Sequence, residues 1–375
     1  MKYMGSKKSM LLNGLGTLIN SELENAKRFI DLFTGSAAVA WFVATKHDVP
    51  VYAYDLQRYS TALANAVISR TKVLSSDEIW REWETRAKEI MDGRRYPSAA
   101  RLTQAKVQDI RRWCSRQELW TLTKAYGGHY FSAKQAMWLD ALRKTLPKNF
   151  DAKRAALGAL IEGASQCAAA PGHTAQPFQP TRSAKPFLQE AWDRDIRSAV
   201  KRALSAICKM TAKQKGRASA CDANQSAGGL KEGDLVFVDP PYSGVHYSRF
   251  YHVLESLARG RCGEVSGVGR YPSNKQRPRS KYSVVSESVD AVDNLLKTLS
   301  AKKTRVIFTF PEHECSNGLS GERVRTIANK YFVINEQAVA SRFSTLGGYG
   351  GQDVRQDGRA ARHDAKELIL LLSPK

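Results

Sequence analysis

A short apolar run, Leu235-Val-Phe-Val238, stops on Asp239-Pro240-Pro241-Tyr242. Proline fixes φ and has no amide to donate, so two in succession can continue neither a helix nor a central strand. The run therefore reads as a buried strand ending at the carboxyl edge of a sheet, which is where ligands bind in open α/β folds. A carboxylate stands at its tip. The stiff turn behind it presents its carbonyls as rigid acceptors.

Other segments supply the sheet that such a strand needs. Lys27-Arg-Phe-Ile-Asp31-Leu-Phe33 is a short apolar run ending at a Thr34-Gly35-Ser36 turn, and Ala37–Thr45 then suits a helix. Val51-Tyr-Ala-Tyr54 is a second strand ending at Asp55, with a helix from about Gln57 to Ser69. Strand signals resume at Arg305–Phe310, Tyr331–Ile334 and Glu367–Leu372. This alternation predicts an α/β sandwich with a mainly parallel sheet. Between residues 71 and 215 helical periodicity dominates instead, with Trp80, Trp83, Trp113, Trp120 and Trp138 spread along it. Ser132-Ala-Lys-Gln135 has the form of a helix-starting capping box. The simplest organisation is an α/β core over 1–70 and 216–375, interrupted by a mostly helical insertion over 71–215.

Composition narrows the partner. The 375 residues can bury a full core and a second domain. With 58 Lys and Arg against 36 Asp and Glu, the formal charge is +22. So large an excess attracts a polyanion, of which nucleic acid is the commonest. The six cysteines (114, 167, 208, 221, 262 and 315) include no C-x-x-C pair, so neither a disulfide framework nor a metal site is expected. The longest apolar stretch, Phe29 to Ala44, is interrupted by Asp31, Thr34, Gly35 and Ser36 and is too short to span a bilayer. The opening Met-Lys-Tyr-Met-Gly-Ser-Lys-Lys lacks the apolar core of a signal peptide. A cytoplasmic protein with no membrane partner is expected.

The chemistry follows from the acceptors. An aromatic amine is a poor nucleophile because its lone pair is delocalised into the ring. The Asp239 carboxylate and the Pro240 carbonyl can hydrogen-bond both amine protons, favouring a pyramidal nitrogen whose lone pair points at an electrophile. Tyr242 offers a face on which an extruded base stacks, worth about 1–3 kcal/mol. Gly35, at a strand-to-helix turn, lets a cofactor approach the backbone closely. Neither G-x-G-x-x-G nor a phosphate-binding G-x-x-x-x-G-K-[ST] loop occurs. Asp55 stands where a ribose hydroxyl pair is held in such folds; the other reading is a cap on the helix near Gln57.

Lys2-Tyr3-Met4-Gly5-Ser6-Lys7, Asp31-Leu-Phe33-Thr-Gly35, Asp55 and Asp239-Pro240-Pro241-Tyr242, in that order, resemble the Dam-like, alpha-class DNA adenine-N6 methyltransferases. The resemblance implies a Rossmann-like S-adenosylmethionine-dependent methyltransferase sandwich with an inserted target-recognition domain. It also implies transfer of a methyl group from S-adenosyl-L-methionine to the exocyclic N6 of adenine in double-stranded DNA, with base flipping. Tyr3, Gly5 and Lys7 then match cofactor-pocket residues at the edge of the active site. Asp31, Phe33 and Gly35 match the loop around the methionine moiety, and Asp55 the ribose-binding acid. Asp222, in Ala218-Ser-Ala-Cys-Asp222, resembles the acid that reads the cofactor's adenine. The family's second glycines are replaced here by Ser6 and Ala37.

In this family the insertion carries the site-reading surface. Ser165, Gln166, His173, Gln176 and Arg182 are its candidates here, since their side chains can reach base edges or phosphates; ordinary loop hydrogen bonding is the alternative. Two basic loops, Arg259–Lys281 and Phe343–Asp364, suit phosphate contacts, and Arg277, Arg279 and Lys281 are singled out in the first. A solvated charge run is the plainer reading of both. Methylation at cytosine C5 is set aside because no Pro-Cys nucleophile occurs. Cytosine-N4 methylation shares the acceptor geometry, although motif order and Tyr242 favour adenine. The large insertion suits duplex DNA better than RNA. Intact Asp239 and Tyr242 argue against a catalytically silent DNA-binding protein. Monomer and homodimer both stand, as does an accompanying restriction or phage-defence component.

Overall fold

The apolar runs become strands of one seven-stranded sheet in the computed structural model, which describes residues 3, 5, 7–344 and 362–375, and their side chains except at 337–344 and 362–366. The strands are β1 Arg28–Asp31, β2 Val51–Asp55, β3 Arg217–Ala220 and β4 Asp234–Val238, then, after a small antiparallel hairpin of β5 Val265–Ser266 and β6 Tyr271–Pro272, β7 Arg305–Pro311, β8 Phe332–Ser344 and β9 Arg362–Pro374. Their order is β3-β2-β1-β4-β7-β9-β8. β1 pairs in parallel with β2 and β4, and β4 with β7, whereas β9 runs antiparallel to both neighbours. This is the expected Rossmann-like sandwich. β3, whose Arg-Ala-Ser-Ala sequence lacks an apolar run, and the short β5 and β6, in a segment that reads as a loop, gave no strand signal in the chain.

The strand order reverses between β1 and β4, so the chain passes to opposite sides of the sheet there and leaves a crevice at the carboxyl ends. At the other end of the same pair, Arg28 grips the buried Asp234 carboxylate with two hydrogen bonds of 2.6 and 2.5 Å, fixing the β1–β4 register. One sheet face packs on an apolar cluster that includes Ile30, Val236, Phe308, Leu295 and Leu299.

The chain divides into two compact units, one of residues 4–56, 219–246 and 279–375, the other of 1–3, 57–218 and 247–278. The first is the sheet unit. The second is mostly helical, and five of its helices start where the sequence offers caps: Ser75, Thr103, Ser132, Asn149 and Asp195 each accept from the first turn. The Ser132–Gln135 capping box forms as expected. The helix Arg58–Ile68 belongs to this unit, although in sequence it continues the second strand–helix pair. Its attachment depends on a small residue: a Cβ on Gly158 would lie 2.6 Å from Ala66. Residues 247–278, including β5 and β6, join the same unit.

The basic loop expected over Phe343–Asp364 lies mostly outside the described residues, as do Lys2, Met4 and Ser6. Among the described residues no helix is long and apolar enough to cross a membrane.

Candidate active site

Parallel pairing fixes what meets at the sheet's carboxyl edge. β1 ends on Asp31, β2 on Asp55, and β4 is followed directly by Asp239. Asp31 is buried and accepts one long hydrogen bond, 3.3 Å from the Phe33 amide. Burial, with Asp239 and Asp55 as like-charged neighbours, pushes its pKa well above the usual carboxylate range. Asp55 accepts from the Gly35 amide at 2.9 Å, tying the β1 turn to the end of β2. The helix after β2 has Gln57 at its N-cap, and the Gln57 side chain makes no cap hydrogen bond. Gly35 has φ +51°. Ala37, where the family has glycine, also adopts a left-handed φ of +61°, a conformation that costs an L-residue about 1 kcal/mol or more.

Asp239 is held from two directions. Lys7 Nζ lies 3.0 Å from its Oδ1, and the Thr309 hydroxyl donates to the same oxygen at 2.9 Å. Lys7 is itself buried and also donates to Glu367 on β9. Burial raises the Asp239 pKa and Glu367 adds to the rise, while Lys7 and Thr309 oppose it; the outcome is about 6. The Lys7 ammonium is lifted above its ordinary value by the two carboxylates, against the opposing effect of burial.

The Pro-Pro turn is anchored by Asn317, which is fully buried and donates to the Pro241 carbonyl at 2.9 Å and to Tyr282 O at 3.0 Å. Among the described residues none hydrogen-bonds the carbonyl of the buried Pro240, so the acceptor proposed for an amine proton is unused. Tyr242 reaches back over the N-terminal segment: a Cβ on Gly5 would lie 3.0 Å from its hydroxyl, and Gly5 has φ +70°. Phe33 meets Tyr282 edge-on at 5.0 Å, and the Tyr282 hydroxyl donates to Asn224 at 2.6 Å. Asp222 accepts from the Asn224 and Gln225 amides at 2.9 and 3.3 Å, capping a short helix.

The sheet unit thus brings together Gly5, Lys7, Asp31, Phe33, Gly35, Asp55, Asp222 and Asp239–Tyr242 of the residues expected from sequence. Three further residues, Thr309, Asn317 and Glu367, complete it. Thr309 had a signal, as the lone polar residue inside Val306–Phe310. Asn317 and Glu367 had none.

In the helical unit, Tyr3 stacks on Tyr251 with centroids 4.7 Å apart. Ser165 is 4% exposed and lines a small cavity with His173. His173 accepts from the Ala175 amide at 3.2 Å, and burial lowers its pKa. Gln176 and Arg182 are exposed. Gln166 borders an open cleft of about 390 Å³ with Arg194, Ser198 and Arg202. Arg277 donates to Pro272 O at 3.1 Å and shares the Tyr271 ring with the exposed Arg249. In the sheet unit, Arg279 pairs with Glu287 and Lys281 is exposed. Residues 259–281 are more structured than their composition implies, since Arg259 pairs with Glu255 and Arg270 donates to Ala125 O.

A crowd of acids with one shared ammonium fits a ligand that brings its own positive charge. S-adenosylmethionine carries a sulfonium and an ammonium, so the donor set matches it. Strand order, carboxylate-tipped strands and a strand-ending Asp-Pro-Pro-Tyr together define a Rossmann-like S-adenosylmethionine-dependent methyltransferase. The family model for D12 class N6 adenine-specific DNA methyltransferases matches residues 3–124 and 192–310, and the chain belongs to that family. It is also 25% identical over 329 residues to "Modification methylase StsI" of Streptococcus sanguinis. That alignment covers 83% of this chain and 44% of the relative, so the chain spans less than half of the relative's length.

Proposed function

We propose that this protein transfers a methyl group from S-adenosylmethionine to N6 of adenine in duplex DNA, at a specific site and with the base turned out of the helix. The observation that supports it most is the pair of acceptors at the end of β4: an Asp239 carboxylate made basic by burial and a Pro240 carbonyl that no described residue hydrogen-bonds, on an anchored turn. Together they hold both protons of an exocyclic amine. One of these protons would pass to Asp239 as the nitrogen takes the methyl group, whose bond to the donor sulfur breaks with the electron pair left on sulfur. Tyr242 supplies the stacking face. S-adenosylmethionine, when bound, supplies an electrophilic methyl group. Asp31 and Asp55 would hold its cationic end and its ribose, and Asp222 its adenine.

The helical unit is the DNA-binding part of this reading. It contains 37 Lys and Arg against 16 Asp and Glu, a net +21, whereas the sheet unit has 21 against 20. Phosphate neutralisation supplies most sequence-independent affinity, so Arg182, Arg249 and Arg277 are the phosphate contacts we favour, with Gln166 and Gln176 as side chains able to hydrogen-bond base edges. The duplex it acts on in this reading is cytoplasmic DNA.

Labelled-methyl transfer to unmethylated genomic DNA, followed by digestion to nucleosides, tests the reading. Wild type should give N6-methyladenine. Asp239→Ala should lose at least ~10²-fold in rate and keep its affinity for S-adenosylmethionine. Label found only in cytosine, or a fully active Asp239→Ala protein, would refute it.

A further inference from the structure

Lys7 serves two carboxylates, and only one of them is at the tip of the catalytic strand. Glu367 stands on β9 opposite Pro311 of β7, two residues beyond Thr309, and accepts from the same ammonium that lies 3.0 Å from Asp239. Glu367 falls outside both stretches matched by the family model. It is 13% exposed and Lys7 5%, so water screens this triad weakly.

A buried Lys7–Asp239 pair left to itself would satisfy itself. The ammonium would occupy the oxygen that an amine needs and would make the carboxylate a weak base. A second carboxylate on the same ammonium divides its attention. Resting on the reading of Asp239 as the amine acceptor, we propose that Glu367 is a positioning residue that draws the Lys7 ammonium off Asp239 and so sets how basic, and how open to the amine, Asp239 is.

The groups around Asp239 are consistent with that role. Lys7 faces it from the N-terminal segment, Thr309 from β7, Glu367 from β9 and Asp31 from β1, while Tyr242 lies near Lys7. Among the described residues Lys7 is the one cation in this group. Asp31 already opposes ionisation of its neighbours, so removing the Glu367 charge leaves Lys7 to act chiefly on Asp239.

Glu367→Gln is the informative change, because its amide oxygen still accepts from Lys7 while the charge is gone. Labelled-methyl transfer to unmethylated genomic DNA should show kcat lower by about tenfold, the worth of one pKa unit of basicity. The KM for S-adenosylmethionine should be unchanged. The acid limb of the kcat–pH profile should move to lower pH, since Asp239 then stays ionised further down. Glu367→Asp, which keeps the charge, should hold the limb near its wild-type position. Thermal melting of each variant reports whether the fold survives. A wild-type kcat and limb in Glu367→Gln would overturn the proposal. So would a loss of activity that is uniform with pH in both variants. Absence of methylated adenine with the wild-type protein would instead refute the amine-acceptor reading itself, and is told apart by that control.

Discussion

Two buried aspartates, one in each unit, are treated in opposite ways by the fold. Asp140, in the helical unit, accepts from the Leu122 and Thr123 amides at 2.9 and 2.8 Å and from the Thr123 hydroxyl at 2.9 Å. Asp31, in the sheet unit, accepts from one amide at 3.3 Å. Burial raises both pKa values, but the three donors limit Asp140 to about 6, while Asp31 goes well above the carboxylate range with two acids beside it. A satisfied buried acid is architecture. An acid buried with a single long hydrogen bond and two acids beside it costs stability unless something else supplies the counter-charge, which is how a place for a cationic ligand would be built. Net charge separates along the same line, +21 on the helical unit and +1 on the sheet unit. One unit suits a polyanion, and the other a small cation-bearing cofactor.

The largest expected effect tests the architectural acid. Asp140→Asn keeps the shape but turns an acceptor into a donor facing the donors of Thr123. Unfolding in denaturant should show a loss of roughly 2–4 kcal/mol, with cofactor affinity unaltered in the folded fraction. A neutral substitution would remove the distinction between the two aspartates.

A smaller effect is expected at the edge of the ligand site. Asp55→Ala removes the acceptor for Gly35 and the proposed ribose contact. Titration calorimetry should show S-adenosylmethionine binding weakened by about 1.5–3 kcal/mol, or roughly 10- to 100-fold, with DNA affinity unchanged. Unchanged cofactor affinity would confine Asp55 to holding the β1 turn.

The contrast also explains what could be read from the chain. Asp31, Asp55 and Asp239 were legible because each ends an apolar run, and a parallel sheet brings such ends to one edge whatever lies between them. Glu367 and Asn317 were not, because their roles depend on an antiparallel pairing and a loop that join segments far apart in sequence. Local periodicity found the helix Arg58–Ile68 but not its unit, which depends on the close approach of Gly158 to Ala66. Charge runs misled in the other direction. Several arginines of Arg259–Lys281 are spent on backbone carbonyls and on Glu255 and Glu287 rather than left free.

Asp31→Asn gives the most direct test. A folded pKa above the unfolded one means that the folded protein binds this proton more readily. The stability it contributes is fully present below about pH 4 and is lost as pH rises through the raised folded value. Asparagine mimics the protonated acid, and its new amide hydrogens face the acids around it. The measurement is denaturant unfolding of the ligand-free wild type and Asp31→Asn at pH 8 and pH 5, paired with S-adenosylmethionine titrations at pH 8. The expected result is a variant more stable than wild type at pH 8, by a margin that narrows toward pH 5, and a cofactor bound at least ~10-fold more weakly. A variant less stable than wild type at pH 8 with undiminished cofactor affinity would contradict it, making Asp31 one more structural acid.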